Sequence, residues 1–145
     1  MADQTTQRIR IDAPLSEIWD VLCDFERYPS WARDIKEVTV LERDDEGRAT
    51  RVRFRAAAMG RSTTYTLAYD WSGAPARLPW ELVEGDIQRV LDGAYEFTEV
   101  DESTTDVTYH LQVELAVPLP GFVKHRAEAK IVGTALRELR AHVER

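Results

Sequence analysis

Apolar and polar positions alternate along most of the chain, and twice that rhythm gives way to a helical one. Residues 5–12, TTQRIRID, put Gln7, Ile9 and Ile11 on one side and charged groups on the other, which predicts a short strand. In APLSEIWDVLCDF, Leu15, Ile18, Trp19 and Leu22 recur at helical spacing. Pro14 suits the first helical position, and Asp12 upstream favours the positive end of the helix dipole. Pro29 disfavours the helical conformation at Tyr28, so this helix should end before it, with at most one further turn around Pro29–Arg33. From Ile35 to Val117 six strand-like segments follow: IKEVTVLER, RATRVRFRAAAM, STTYTLAYDW, LPWELVEG, QRVLDGAYEFTEV and DVTYHLQVELAV. Gly, Asp and Pro clusters separate them, and the last ends at Pro118. Short turns between alternating segments imply an antiparallel sheet of about seven strands with one buried face.

After Pro120 the chain has no further proline, and its periodicity is helical to the end. At 1.5 Å per residue such a helix would be roughly 35 Å long, enough to cross a whole sheet. His125, Ala129, Val132, Leu136, Leu139 and Val143 recur at steps of four and three, forming one stripe. A long sheet with one apolar face needs a cover, and only this helix is long enough. The predicted architecture is α+β: a strand, two short helices, six strands and one long helix, in a single domain spanning 1–145.

Composition narrows the function classes. The 145 residues carry a formal net charge of −7, which disfavours nucleic acid and anionic membrane as partners. No apolar run reaches membrane-spanning length, and MADQTTQRIR lacks a signal-peptide core, so a cytoplasmic protein without integral membrane association is expected. The single cysteine, Cys23, fits a reducing compartment. The stretch FERYPSWA, residues 25–32, gathers three rings around one proline at the end of the first helix.

The segments IDAPLSEIWDVLCDFERYPSWARDI (11–35), LDGAYEF (91–97) and DVTYHLQVELAVPLPGFVKHRAEAKIVGTALRELRAHVE (106–144) together resemble the helix-grip fold of the START/Bet v 1-like (SRPBCC) superfamily. Within it the chain is similar to the bacterial polyketide cyclase/dehydrase and coenzyme Q-binding-protein branch. The resemblance implies a curved antiparallel sheet wrapped around the long C-terminal helix, with a ligand cavity between them. The second short helix would lie at the cavity edge, making Tyr28 and Trp31 half-buried flaps over its entrance or permanent plugs of the core.

Strand parity says which side chains would line that cavity. Val38, Val40, Val52, Phe54, Ala56, Ala58, Tyr65, Leu67, Tyr69, Trp71, Trp80 and Leu82 point inward, as do Tyr95, Phe97, Val107, Tyr109, Leu111 and Val113. Four tyrosines on an inward face need partners for their hydroxyls, which a ligand or water would supply. Ala129 and Gly133 on the long helix leave room or permit close approach to the sheet, and Val132 completes the wall.

His125, as the ionisable residue on the apolar stripe, is the candidate for a polar or proton-moving contact. Arg51, Arg53 and Arg55 should face solvent. A β-bulge would turn them inward, and the resemblance makes an inward arginine, Arg53 being the candidate, a means of polarising ketide carbonyls. No zinc motif, phosphate loop or nucleophile elbow occurs, and no metal or cofactor is called for. The expected function is binding, or transport, of a hydrophobic small molecule such as a lipid, isoprenoid or aromatic polyketide, by a monomer or weak homodimer. The alternative is a cyclase/aromatase promoting aldol closure and dehydration. A protein-interaction module with a collapsed cavity is a third possibility.

Overall fold

In the computed structural model, residues 4–58, 60–117 and 119–145 are described, Ala58 by its backbone alone. The expectations for the Ala58 side chain, for Met59 and for Pro118 fall outside these residues. Seven strands form one antiparallel sheet: β1 (Thr5–Ile11), β2 (Ile35–Arg43), β3 (Ala49–Ala58), β4 (Arg61–Tyr69), β5 (Arg77–Gly85), β6 (Gln88–Asp101) and β7 (Thr104–Leu115). Their order in the sheet is β1-β7-β6-β5-β4-β3-β2, a meander from β2 to β7 whose far edge is completed by β1. Alternation decides the faces. Val52, Phe54 and Ala56 of β3 are buried while Arg51, Arg53 and Arg55 between them are exposed.

The two helices are α1 (Leu15–Cys23) and α2 (Gly121–Val143), with a 3-10 helix at Phe25–Ser30. Pro14 proves to be the cap of α1, in extended conformation, and not its first helical residue. The second short helix was expected around Pro29–Arg33 and instead starts at Phe25. The reason is packing: Phe25 is buried and touches the rings of Tyr28, Phe54, Tyr69 and Trp71. A tight turn at once after α1 keeps that ring pointed at the sheet.

The long helix lies over β1 and β7, at one side of the sheet. Gly133 is what allows it so close. A Cβ there would come within 3.3 Å of Gln7 Oε1, and one turn earlier Gln7 Nε2 donates to the Ala129 carbonyl at 3.1 Å. At its other end Glu144 Oε2 accepts from Asp12 N at 2.8 Å. Beneath it Ile11, Val107, Leu111, Val132, Leu136 and Leu139 are fully buried.

Between β5 and β6 the ladder is short. Arg77–Trp80 pairs with Gly93–Glu96, and beyond Trp80 the Leu82 N–H turns to Asp92 Oδ1 at 3.0 Å. Gly93 lies at this junction with the indole of Trp80 over it, and a Cβ would meet that ring at 2.6 Å while pressing on the His110 carbonyl. A Gly93→Ala substitution should therefore destabilise the fold by about 1–3 kcal/mol, through overpacking against backbone that cannot yield. Urea unfolding checks this, and an unchanged midpoint would contradict it.

Candidate ligand-binding interior

The inward aromatics form one continuous system of touching rings. Trp31 meets Tyr28 at 5.1 Å between centroids, Tyr28 meets Phe25 at 5.1 Å, and Phe25 meets Tyr69 at 4.8 Å. Tyr69 continues to Trp80 at 5.9 Å, and Trp80 to Tyr95 and Tyr109 at 5.3 and 5.4 Å. Phe97 stacks beside Tyr95 and against Trp19 of α1, while Phe54 stacks on Tyr65. Of the residues expected to face the interior, Phe54, Leu67, Trp80, Tyr95, Phe97, Tyr109 and Val132 are buried, and Tyr28, Trp31, Tyr65, Tyr69 and Ala129 are half-buried. Trp31 is held from outside by a stacked contact with His142, 5.8 Å away. Sequence gave His142 no part in the site.

Polar atoms in this interior are unevenly satisfied. Tyr28 Oη donates to the Leu22 carbonyl at 2.6 Å. The hydroxyls of Tyr65, Tyr69, Tyr95 and Tyr109 have no hydrogen-bond partner among the described residues, although Tyr95 and Tyr109 are only 9% exposed. Trp19 Nε1 is the buried side-chain polar atom without a partner among the described residues, a loss of about 1–3 kcal/mol, whereas the four hydroxyls are not fully buried. Burial, reinforced for Tyr28, Tyr69, Tyr95 and Tyr109 by neighbouring phenols, raises all five tyrosines of the chain above their ordinary value. They remain neutral donors across the physiological range.

The expectation for His125 needs correction. Its side chain is 50% exposed, outside the apolar stripe. The buried line of α2 runs through Glu128, Val132, Leu136 and Leu139, and Glu128 is the ionisable group with 0% exposure. Its Oε1 accepts from Thr5 Oγ1 at 2.9 Å and its Oε2 from Val113 N at 2.8 Å. Lys124 Nζ lies 3.6 Å from Oε2 and His125 Nδ1 3.8 Å from Oε1. β1 pairs only as far as Leu111, so Glu128 takes the place of a missing strand partner for Val113. Its i+4 spacing to Val132 was the signal available in the sequence; the neighbouring alanine drew the stripe one residue too far.

Arg53, the other catalytic candidate, is on the outer face with Arg51 and Arg55. Register shifts occur in the β2–β3 pair, yet none turns these arginines inward. Arg51 pairs with Glu42 and Arg55 with Glu37, at 3.2 and 2.6 Å. Cys23 is exposed, but partial desolvation and nearby Asp20 push its thiol up to about 11, leaving little thiolate at neutral pH.

The two best-formed depressions are both polar and both outside. One, of about 100 Å³, lies among Glu37, Thr39, Arg53, Arg55 and Thr64. The other, of about 390 Å³, is lined mainly by Gln4, Arg77, Asp92, Glu96, His110 and Gln112. There His110 Nε2 is 2.6 Å from Glu96 Oε1 and His110 Nδ1 is 2.8 Å from Thr6 Oγ1. The His110 hydrogen bond holds the Glu96 carboxyl below the usual carboxylate range. Neither depression is the internal cavity that was expected. The inner face instead carries the half-buried rings of Tyr28, Trp31, Tyr65 and Tyr69.

A model of the polyketide cyclase / dehydrase and lipid transport family matches residues 11–140. The chain belongs to that family. No curated protein sequence matches it. Among solved structures it is similar to a START superfamily protein from Mycobacterium smegmatis, with 23% identity, a TM-score of 0.92 and 97% of each chain covered. The Zhui aromatase/cyclase from Streptomyces sp. R1128 aligns at 17% identity and TM-score 0.85, over 100% of this chain and 95% of that one. A STAR-related lipid transfer protein from Xanthomonas axonopodis aligns at 20% identity and TM-score 0.71, covering 98% and 86%. These likenesses establish the helix-grip fold. Family and fold together fit a hydrophobic-ligand-binding or a polyketide cyclase role.

The raised tyrosines give a pH test. A group whose folded value lies above its unfolded value contributes stability that is intact below the unfolded value, near 10 for tyrosine, and lost as pH climbs through the folded one. Alkaline titration followed by tyrosinate absorbance should show little ionisation near the ordinary value, then release of the tyrosines together with unfolding. Smooth titration of several tyrosines around the ordinary value in the folded protein would contradict their burial.

Proposed function

We propose that the protein binds, and by binding carries, a hydrophobic small molecule with one or more acceptor oxygens, held between the sheet and α2. Lipids, isoprenoids and aromatic polyketides are the candidate classes. The observation that supports this reading is the group of phenols of Tyr65, Tyr69, Tyr95 and Tyr109, none hydrogen-bonded to a described residue, beside the buried and partnerless Trp19 Nε1, in an otherwise apolar wall of rings. Rings supply dispersion and apolar contact for the body of the guest, and neutral donors orient its oxygens. Partial exposure of Tyr65, Tyr69, Leu82, Leu91 and Val113 leaves the inner face accessible beyond the cover of α2.

Carriage is favoured over catalysis by the outer placement of Arg51, Arg53 and Arg55. An aldol closure of a poly-β-ketone wants a cation or an acid–base pair beside the reacting carbonyls. Neutral phenols with raised ionisation donate hydrogen bonds but are poor bases. Glu128, the carboxylate nearest the interior, is committed to Thr5 and Val113. The cyclase reading would regain ground if turnover of a ketide substrate were detected and abolished by a tyrosine substitution.

Titration with isoprenoid alcohols, fatty acids and aromatic polyketides tests the proposal. Because their hydroxyls have no protein partner, Tyr95→Phe and Tyr109→Phe should change stability by less than about 0.5 kcal/mol. The same variants should weaken an oxygenated ligand about three- to tenfold each, with a pure hydrocarbon analogue unaffected. Arg53→Ala should leave affinity unchanged. Failure of every ligand class to bind, or equal losses for oxygenated and hydrocarbon ligands, would contradict the proposal.

A further inference from the structure

At one end of the sheet the β5–β6 turn, the chain leaving β7 and the start of α2 come together. Ala116 N donates to the Ile87 carbonyl at 2.8 Å, and α2 begins at Gly121. The most exposed large apolar side chains among the described residues are here, Val117 at 73% and Phe122 at 72%, with Ile87 beside them. Half-buried residues of the inner face lie towards this same end, since Tyr65 pairs with Gly85 and Leu91 with Val113.

Charge at this end departs from that of the chain as a whole. Along α2, Phe122, Arg126 and Lys130 follow one another at four-residue steps, on one line of the helix surface, and all three are exposed. The one acid in the first ten residues of the helix, Glu128, is buried and faces the sheet. Lys124 adds a further cation whose ammonium lies near Glu128. On the neighbouring elements Glu84, Arg89 and Glu114 are exposed, and the Asp86 carboxylate is held by the Thr63 hydroxyl and the Thr64 N–H. The positive face is thus carried by the helix, in a chain of net charge −7.

Protruding apolar tips flanked by cations suit the boundary between lipid headgroups and acyl chains, where rings enter and cations pair with phosphates. A stable protein interface instead asks for a contiguous area of about 800 Å² per partner. We propose that this end docks peripherally on an anionic bilayer, with Phe122 and Val117 reaching the acyl boundary and Arg126 and Lys130 among the headgroups. Docking would bring the half-buried side of the interior to the membrane from which an apolar guest could pass. The inference stands on surface residues and does not depend on which guest is carried.

Co-sedimentation with vesicles tests it, using phosphatidylcholine alone and phosphatidylcholine with about a third phosphatidylglycerol. The protein should bind the anionic vesicles at low salt, about tenfold more weakly without phosphatidylglycerol, and lose most binding at high salt. Phe122→Asp and the paired Arg126→Glu, Lys130→Glu variant should each weaken binding about tenfold or more. Circular dichroism and an unchanged Tm would show them folded, as expected for exposed side chains. No sedimentation with anionic vesicles, or equal sedimentation of the variants, overturns the proposal. So does a concentration-dependent dimer that Phe122→Asp dissociates, which would assign the surface to a second copy of the chain.

Discussion

A helix resting on one side of a wide sheet sets most of what is distinctive here. α2 lies over β1 and β7, tied there by Gln7 to the Ala129 carbonyl, by Glu128 to Thr5 and Val113, and by Glu144 to the Asp12 N–H. Under that contact the aliphatic core is fully closed, from Ile11 and Val107 to Leu139. The remaining inner face, carried by β3 to β6, is covered by aromatic rings packed against one another and by the 3-10 helix. Rings of that size fill space without satisfying every polar group they carry: among the described residues the indole N–H of Trp19 is buried without a partner, and four phenols bond to no protein atom. The proposed apolar guest with oxygens would meet donors and apolar walls together.

Much of this architecture was legible in the sequence, for physical reasons that can be named. A period of two along Val52, Phe54 and Ala56 set against Arg51, Arg53 and Arg55 fixes which face of β3 is inside, and a one-residue slip would bury three cations. Pro, Gly and Asp clusters marked the turns because few other residues suit them. Helix phase was harder to read. His125 and Glu128 lie three residues apart on one side of the helix, and spacing alone favoured the former. Only the end of β1 at Thr5, which leaves the Val113 N–H in need of an acceptor, makes a buried glutamate worthwhile. That is a long-range fact, invisible to local periodicity. The early start of the 3-10 helix has the same origin, since Phe25 is drawn inward by rings from β3 and β4.

The outer face shows how polar organisation can mimic a site. Thr6, His110, Glu96 and Arg77 form a hydrogen-bonded row over a depression of about 390 Å³. Glu96 accepts, so His110 Nε2 carries a proton towards it. Its members come from β1, β7, β6 and β5, and the row stitches four strands together across their solvent side. Cross-strand pairing of this kind accounts for it without a ligand. The chemistry that remains unexplained by internal pairing lies on the opposite face, among the tyrosines.

Native mass spectrometry of freshly purified protein addresses the occupancy of that face most directly. The account predicts a fraction of the protein carrying an apolar, oxygen-bearing compound that is released on denaturation, and lost more readily when the orphaned phenols are removed. Bare polypeptide alone, from every expression host and after incubation with each candidate ligand class, would contradict it.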